Sequence, residues 1–319
     1  MKKFLIIQTA FIGDVILATA VVEKLHGFYP ESKIDFLVRK GNESLLDNHP
    51  IINKVIVWDK KNKKYSNLFK IIKGVRKANY THVINLHRFM ASGVVTALSK
   101  AKFKSGFKKN PLSVFYTEKH LHKINNGLHE VDRNQKLIAS LTNLNSVKPK
   151  LYPTKKSNET IELLQLNDSY IVIAPASVWF TKQIPKHKVI ELIKKQTLQI
   201  CLIGAPNDKD YCQSIINESK AKNIVNLAGK LSLLDSALLI KNAKMSYVND
   251  SAPLHLASAM NANVIAFFCS TIPDFGFGPL SDDFKIIQIN KNLKCRPCGL
   301  HGFKQCPKNN FECGNNIIV

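Results

Sequence analysis

The sequence predicts an α/β protein of two domains, each built on a parallel sheet with helices on both faces. The chain has 319 residues, which is enough for two domains of ordinary size. Short apolar runs alternate with segments of helical period, the rhythm of parallel βαβ units. A polar stretch with two prolines at about 148–169 interrupts this rhythm once, after which it starts again. We therefore expect domains at 1–155 and 156–319.

The first half of the chain supplies a regular series of elements. Runs rich in Val, Ile, Leu and Phe predict buried strands at 2–8, 33–39, 54–59 and 82–87. Apolar residues at three- and four-residue spacing predict helices at 14–25, 65–78 and 89–100. Because helices recur between the strands, a purely α or purely β fold is not expected.

The second half repeats the same rhythm. Its apolar runs predict strands at 170–175, 198–205, 244–250 and 263–270. Its periodic segments predict helices at 185–196, 207–219, 233–243 and 251–261. Open α/β sheets bind ligands at the carboxyl ends of their strands, so a cleft between two such halves is the expected site.

The chain is strongly basic, with 46 Lys and Arg against 23 Asp and Glu, a formal net charge of +23. Such a charge favours anionic partners, and nucleic acid, acidic phospholipid and a phosphorylated substrate all remain open on charge alone. With 45% hydrophobic residues the chain can form substantial cores. No apolar run reaches the ~18–20 residues of a membrane span.

The stretch TAFIGDVILATA (9–20) admits two interpretations, a secretion signal or the first loop of an active site. Gln8, Gly13 and Asp14 interrupt the apolar run that a signal needs, and a buried carboxylate is costly there. As a strand, loop and helix the stretch is consistent, and the chain is then expected to stay in the cytosol. Asp14 is either a structural residue of the first helical turn or a functional carboxylate. Neither GxGxxG nor a Walker A sequence is present.

Two further stretches combine polar residues with predicted element ends. After the strand ending at Asp250, Ser251 and Pro253 open a helix whose free N–H groups can bind an anion, with His255 one turn in. A lone His is more often a structural residue, and that alternative stays open. The loop at 174–185 carries Thr181 and Lys182. A lysine there can neutralise a diphosphate, or it can be an ordinary solvated side chain.

Four of the seven cysteines lie close together in the C-terminal tail, at Cys295, Cys298, Cys306 and Cys313. Four thiolates can hold a structural zinc ion, although this spacing matches no standard zinc ribbon. Disulfides are not expected in a reducing cytosol, and reduced thiols in a loop are the alternative.

Taken in order, these stretches resemble glycosyltransferase family 9, the lipopolysaccharide heptosyltransferases. The likeness covers nearly the whole chain. The segments that carry it are QTAFIGDVILAT (8–19), HEVDRNQKLI (129–138), WFTKQIP (179–185), NDSAPLHLASAM (249–260), NVIAFFCSTIPDFGFGP (263–279) and the C-x-P-C tail, which is similar to the heptosyltransferase II branch. The chain departs from the family at Ala252, where the family has Gly, and at Cys269-Ser270-Thr271, where it has Gly-Pro-Thr.

The resemblance implies a GT-B fold, two Rossmann-like domains facing a central cleft, with the nucleotide sugar held mainly by the second domain. It implies an inverting transfer that needs no cofactor, with Asp14 as the general base and Gly13 and His129 on the acceptor side. Lys182 and Thr181 would stabilise the departing diphosphate. The N–H groups around Ser251, Ala252 and His255 would hold the phosphates of the donor, while Asp250 would position the loop or touch the donor.

The implied reaction moves a sugar, most simply heptose from ADP-heptose, onto the phosphorylated lipid A and inner core of lipopolysaccharide or a related acidic glycolipid. The enzyme would be cytoplasmic and peripheral at the anionic inner face of the membrane, with no specific nucleic-acid partner. Two alternatives remain, a basic nucleic-acid-binding protein with a four-cysteine zinc module and a sugar-nucleotide epimerase of the GT-B fold.

Overall fold

The computed structural model describes residues 1–319 and divides into two compact units, Met1–Tyr152 and Pro153–Val319. The expected division was at 155/156. Each unit contains one six-stranded parallel sheet. The prediction of an α/β protein with two parallel sheets is confirmed.

The first unit carries its sheet in the order β3-β2-β1-β4-β5-β6. Its strands are β1 (Lys3–Ile7), β2 (Lys33–Arg39), β3 (Ile52–Trp58), β4 (His82–Asn85), β5 (Phe103–Phe107) and β6 (Glu118–His120). Its helices are α1 (Ile12–Phe28), α2 (Lys64–Ala78), α3 (Met90–Leu98) and α4 (Glu130–Lys136). Residues 4–7 of β1 are wholly buried because this central strand is covered on both faces.

The second unit carries its sheet in the order β12-β11-β10-β7-β8-β9. Its strands are β7 (Tyr170–Ala174), β8 (Gln199–Leu202), β9 (Ile224–Asn226), β10 (Met245–Asn249), β11 (Val264–Phe268) and β12 (Phe284–Gln288). Its helices are α5 (Lys155–Glu162), α6 (Lys186–Lys194), α7 (Lys209–Ser219), α8 (Leu233–Asn242), α9 (Ala252–Met260) and α10 (Glu312–Asn315). Numbered within its own unit, each sheet has the doubly wound strand order 3-2-1-4-5-6.

Several elements differ from the sequence-based expectation. The polar stretch expected to link the domains contains helix α5, which packs against α8 within the second unit. Four strands and two helices had no clear sequence signal, namely β5, β6, β9, β12, α4 and α10. These strands lie at or next to sheet edges, where one side of a strand lacks a partner and the apolar pattern weakens.

Local chemistry explains where some helices end. α2 and α9 both stop at an asparagine in the left-handed conformation, Asn79 and Asn261, each with φ of 50°. Asparagine tolerates this conformation better than most residues and so closes a helix. No helix combines the length and the apolar character that a bilayer crossing requires.

Candidate active site

Asp14 lies at the point of the first sheet where the strand order reverses. The neighbouring strands β1 and β4 run parallel, and the chain leaves their carboxyl ends in opposite directions, into α1 and α3. Ligands of doubly wound sheets bind at such a point. Asp14 is the third residue of α1 and Gly13 the second.

The Asp14 carboxylate has a structural task at the start of α1. Its Oδ2 accepts the N–H of Phe11 at 3.1 Å, which satisfies one of the unpaired donors of the first turn. Asp14 is therefore a structural residue of the first helical turn, which was one of the two roles that the sequence left open. It leaves the other carboxylate oxygen for further interactions.

The surroundings of Asp14 make it a stronger base than an ordinary aspartate. The pKa of Asp14 is raised to about 6, mainly by burial and next by the negative charge of Glu130, while the Phe11 N–H and Arg88 act in the opposite direction. Above about pH 6 the group is ionised and can still take a proton readily. Such a pKa is typical of a catalytic base.

Glu130 is held beside this site by a buried network. Both its carboxylate oxygens lie 3.0 Å from His122 Nε2, and one accepts a hydrogen bond from Arg133 Nε at 2.7 Å. These partners keep the pKa of Glu130 below its usual range in spite of burial, so the group stays charged. Sequence reasoning missed Glu130, although it lies within the HEVDRN segment that carried the family likeness.

His129, expected on the acceptor side, is the N-cap of α4. Its Nδ1 accepts the N–H of Val131 at 3.1 Å, and α4 packs against α1. His129 therefore fixes the start of the helix that carries Glu130 and Arg133.

The second sheet also reverses its order, between β7 and β10, and the other expected residues gather there. The loop after β7 brings Lys182 to Asp250, which follows β10, with Nζ 2.7 Å from Oδ2. The hydroxyl of Thr271 donates to the same oxygen at 2.6 Å. Asp250 is thus occupied in holding its neighbours, which favours the positioning role among its expected roles.

Asn249, the last residue of β10, ties these loops together, and sequence reasoning missed it. Its Nδ2 donates to the carbonyl of Pro175 at 3.0 Å and to that of Ala174 at 3.2 Å. Its Oδ1 accepts the N–H of Ile184 at 2.8 Å. Both sides of the loop that carries Lys182 are therefore bound to the end of β10.

The start of α9 has no side-chain cap. Ser251 is the N-cap residue, but its hydroxyl is directed to the carbonyl of Asn249 at 3.4 Å and caps no N–H group. Ala252 follows with an N–H group at the positive end of the helix dipole, whereas Pro253 has no N–H and that of Leu254 donates to the carbonyl of Ser251 at 3.0 Å. This arrangement can bind an anion such as a phosphate.

His255, the fourth residue of α9, is 6% exposed, and its ring stands edge-on to Phe277 with 6.4 Å between the ring centres. The imidazole is therefore packed within the unit. We expect the backbone of this turn, rather than the ring, to contact the donor.

Thr181 is buried between the Lys182 loop and the C-terminal tail. The residue is 1% exposed, and its hydroxyl accepts the N–H of Phe303 at 2.7 Å and the hydroxyl of Ser270 at 3.0 Å. The hydroxyl that was expected to stabilise the diphosphate thus already has two partners, one of them in the C-terminal tail, and its role towards a diphosphate stays a prediction. Thr181 anchors the tail.

The four tail cysteines lie around one cavity of about 260 Å³. All seven cysteines of the chain are free thiols. As the side chains stand, no three His, Cys, Asp or Glu residues already form an arrangement that could hold a metal ion. A preformed zinc centre, expected as one alternative, is therefore not part of this structure.

Comparison with known proteins gives consistent matches. A family model described as glycosyltransferase family 9 (heptosyltransferase) matches residues 68–303. "Lipopolysaccharide heptosyltransferase 3" of Escherichia coli K12 is 29% identical over 280 residues, covering 81% of this chain and 80% of the relative. "Lipopolysaccharide heptosyltransferase 1" of Campylobacter coli is 27% identical over 317 residues, covering 91% and 90%.

Among solved structures, the Escherichia coli ADP-heptose lipopolysaccharide heptosyltransferase II superposes with a TM-score of 0.79 at 21% identity, covering 98% of this chain and 97% of that one. At this identity the likeness concerns the fold, and it confirms the expected GT-B type. None of these matches favours a nucleic-acid-binding protein.

Proposed function

This chain belongs to glycosyltransferase family 9, and on that premise we propose that it transfers a heptose from ADP-heptose to the inner core of lipopolysaccharide or a related acidic glycolipid. The family and the names of the relatives support this reaction. The observation that carries the proposal for the site is the partly buried Asp14 carboxylate, whose pKa is raised to about 6, at the reversal point of the first sheet.

In the proposed reaction Asp14 accepts the proton of the acceptor hydroxyl. The oxygen attacks the anomeric carbon of the donor sugar, and the bond from that carbon to the diphosphate oxygen breaks. The electron pair leaves with ADP, and a single displacement inverts the anomeric centre. A positioned base of this kind typically contributes 10²–10⁴-fold to a rate. The scheme assigns no step to a metal ion.

The second unit is proposed to hold the donor and receive the charge of the leaving group. Lys182 and the N–H groups at the start of α9 supply positive potential for a diphosphate whose charge grows as the bond breaks. Asp250 keeps Lys182 in place through the 2.7 Å ion pair. Ala252 adds a methyl group at the helix start where the family has glycine, so donor affinity is expected to be modest.

The acceptor and the location of the enzyme are part of the same proposal. We infer a cytoplasmic protein that lies on the anionic inner face of the membrane, where its acidic glycolipid acceptor is found. The net charge of +23 supports this, as does helix α2, where Tyr65 and Phe69 are 79% and 69% exposed among lysines. Exposed aromatic residues and lysines on one helix are typical of interfacial binding.

Two measurements test the proposed function. A thermal-shift series with ADP-heptose and with GDP-, UDP- and CMP-sugars should show stabilisation by the ADP-sugar, since ligands that bind the folded form raise apparent stability. The variant Asp14→Asn should keep that shift and lose about 10²-fold or more of transfer. Stabilisation only by another nucleotide class would refute the donor, and isomerisation of the donor without an acceptor would favour an epimerase.

A further inference from the structure

The C-terminal tail folds around a cavity that gathers cysteines from three separate parts of the tail. The cavity measures about 260 Å³, and its walls include all four tail cysteines: Cys295, Cys298, Cys306 and Cys313. The other three cysteines lie in or beside the secondary structure of the second sheet and are buried. The convergence is therefore a property of the tail alone.

The composition of the cavity wall suits a soft metal ion. Four cysteine side chains line one space. A set of sulfur ligands suits Zn²⁺, which structural sites commonly hold through four thiolates.

Two of the thiols contact oxygen atoms. Cys298 Sγ lies 3.2 Å from the carbonyl oxygen of Cys295, and Cys306 Sγ lies 4.0 Å from Asn310 Oδ1. With the thiols in these contacts, no three of the cysteines form a metal-binding arrangement. A metal ion would draw both thiols away from weak acceptors into the cavity.

The same tail supports the loop that carries Lys182. We call residues 295–303 the strap. At one end of the strap, the N–H of Cys298 donates to the carbonyl of Ser270 at 2.8 Å. At the other end, two hydrogen bonds join Phe303 and Thr181. The N–H of Phe303 donates to the Thr181 hydroxyl at 2.7 Å, and the N–H of Thr181 donates to the carbonyl of Phe303 at 3.1 Å.

A third attachment comes from Arg296, near the beginning of the strap. The guanidinium of Arg296 donates to the carbonyls of Thr271 at 2.7 Å and Phe268 at 3.2 Å. Lys182 and Thr271 are the two side-chain partners of Asp250. The strap is therefore hydrogen-bonded to both segments that contact Asp250, the one with Lys182 and the one with Thr271.

Gly302 shows how closely the strap approaches the site. Its φ is +73°, and a Cβ added there would lie 2.8 Å from Thr181 Oγ1 and 3.1 Å from Lys182 Cγ. Only glycine fits this position without displacing the residues around Lys182.

We propose that Cys295, Cys298, Cys306 and Cys313 form a four-thiolate site for one structural metal ion, expected to be Zn²⁺, and that the metal fixes the strap that positions Lys182. The metal site stands independently of the reaction, whereas the link to Lys182 rests on the proposed donor-binding role of that residue.

Metal analysis of the full-length protein tests the site. Protein purified without a metal-affinity step, from cells grown with added zinc, should contain about one zinc ion per chain. The variant Cys298→Ser should lose it, and Cys201→Ser, which removes a buried thiol of β8, should keep it. One equivalent of iron in place of zinc would support the thiolate site with a different ion. The absence of any stoichiometric metal from the wild-type protein would overturn the proposal.

The link to Lys182 is tested with ADP as the probe and with two glycine variants. Gly302→Ala should retain the metal but weaken ADP binding about tenfold, because the new methyl group displaces Thr181 and Lys182. Gly299→Ala is the matched control, since its φ is +66° and an added Cβ meets nothing within 4 Å. It should bind ADP as the wild type does.

Equal ADP affinity of both glycine variants would overturn the positioning role. If the wild-type protein did not bind ADP at all, the proposed function would fail, and the metal content would still decide the metal site. Removal of the metal from the wild-type protein should weaken ADP binding, and adding the metal back should restore it. Loss of stability caused by a substitution would not be reversed by adding metal.

Discussion

Asp14 shows how one side chain can have a structural and a chemical role together. The carboxylate closes the first turn of α1 through Phe11, and its raised pKa suits it to proton transfer. The sequence left these roles as alternatives because a first-turn aspartate looks the same in either case. Glu130, which contributes to that pKa, lies more than a hundred positions away along the chain, so no local pattern could reveal it.

The raised pKa of Asp14 has a consequence for stability. Because the folded protein holds the proton more tightly than the unfolded chain, ionisation of Asp14 lowers the free energy of unfolding as pH rises from about 4 to about 6. Asn at this position does not ionise, and its amide oxygen can still accept the Phe11 N–H. Asp14→Asn should therefore be more stable than the wild type at pH 7, by about 3 kcal/mol.

Urea unfolding of both proteins between pH 4 and pH 7 measures this difference. The advantage of the variant should vanish near pH 4 and be complete above pH 6. If the variant were more stable than the wild type by the same amount at every pH, burial of the ionised Asp14 carboxylate would not be the cause of the difference.

The ion pair between Lys182 and Asp250 is mostly buried, with 14% and 7% of the side chains exposed. Removing Lys182 alone leaves a buried carboxylate with Thr271 as its remaining side-chain partner, which we expect to cost about 3 kcal/mol. We therefore predict that Lys182→Met combined with Asp250→Asn loses less stability than the sum of the two single changes. Chemical unfolding of all four proteins gives this coupling, and strictly additive losses would contradict it.

At the scale of elements, the central strands and the edge strand β3 followed from the sequence, whereas β5, β6, β9 and β12 did not. β7 is buried along its whole length and β1 from Phe4 to Ile7, so their apolar runs are continuous. β6 is three residues long and reads Glu-Lys-His, which carries no strand signal. α5 was taken as part of a linker because charge and proline dominate its neighbourhood, yet it packs against α8.

Two helical glycines give opposite expectations for the same substitution. An added Cβ at Gly93 in α3 would lie 2.2 Å from Asn110 Oδ1, whereas one at Gly74 in α2 meets nothing within 4 Å. Asn110 is buried and donates to the carbonyls of His87 and Phe89, which shape the loop after β4. Gly93→Ala should therefore lower the free energy of unfolding by about 1–3 kcal/mol.

Gly74→Ala should raise it by about 0.5–1 kcal/mol, since alanine is the better helix former and no neighbour is displaced. Urea unfolding of the two variants decides the matter. Stabilisation by both changes would mean that Asn110 can move aside without loss of its hydrogen bonds.

At the scale of the whole molecule, the two units repeat one plan. Both sheets have the same strand order, and in each the candidate residues lie where that order reverses. The sequence predicted this much, because the residues followed predicted strands directly. It did not predict that the tail would hold the Lys182 loop, since the hydrogen bond between Phe303 and Thr181 joins residues 122 positions apart.

The overall charge leads to the last prediction, which concerns the membrane. A chain with a net charge of +23 should bind vesicles that contain anionic phospholipid and should lose most of that binding between about 0.05 and 0.5 M salt, because screening shortens the range of the attraction. Cosedimentation measures the bound fraction. If neutral vesicles bound the protein equally well, the electrostatic account would be wrong.

Helix α2 should supply the apolar part of this contact. Phe69→Ser removes an aromatic side chain that is 69% exposed among lysines, and it should reduce vesicle binding severalfold at intermediate salt. Leu163→Ser is the matched control, because Leu163 is 82% exposed but lies in the other unit. Since both changes remove one exposed apolar side chain and leave the net charge at +23, a difference between them isolates α2 as the contact. Equal binding by the two variants would show that charge alone attaches the protein.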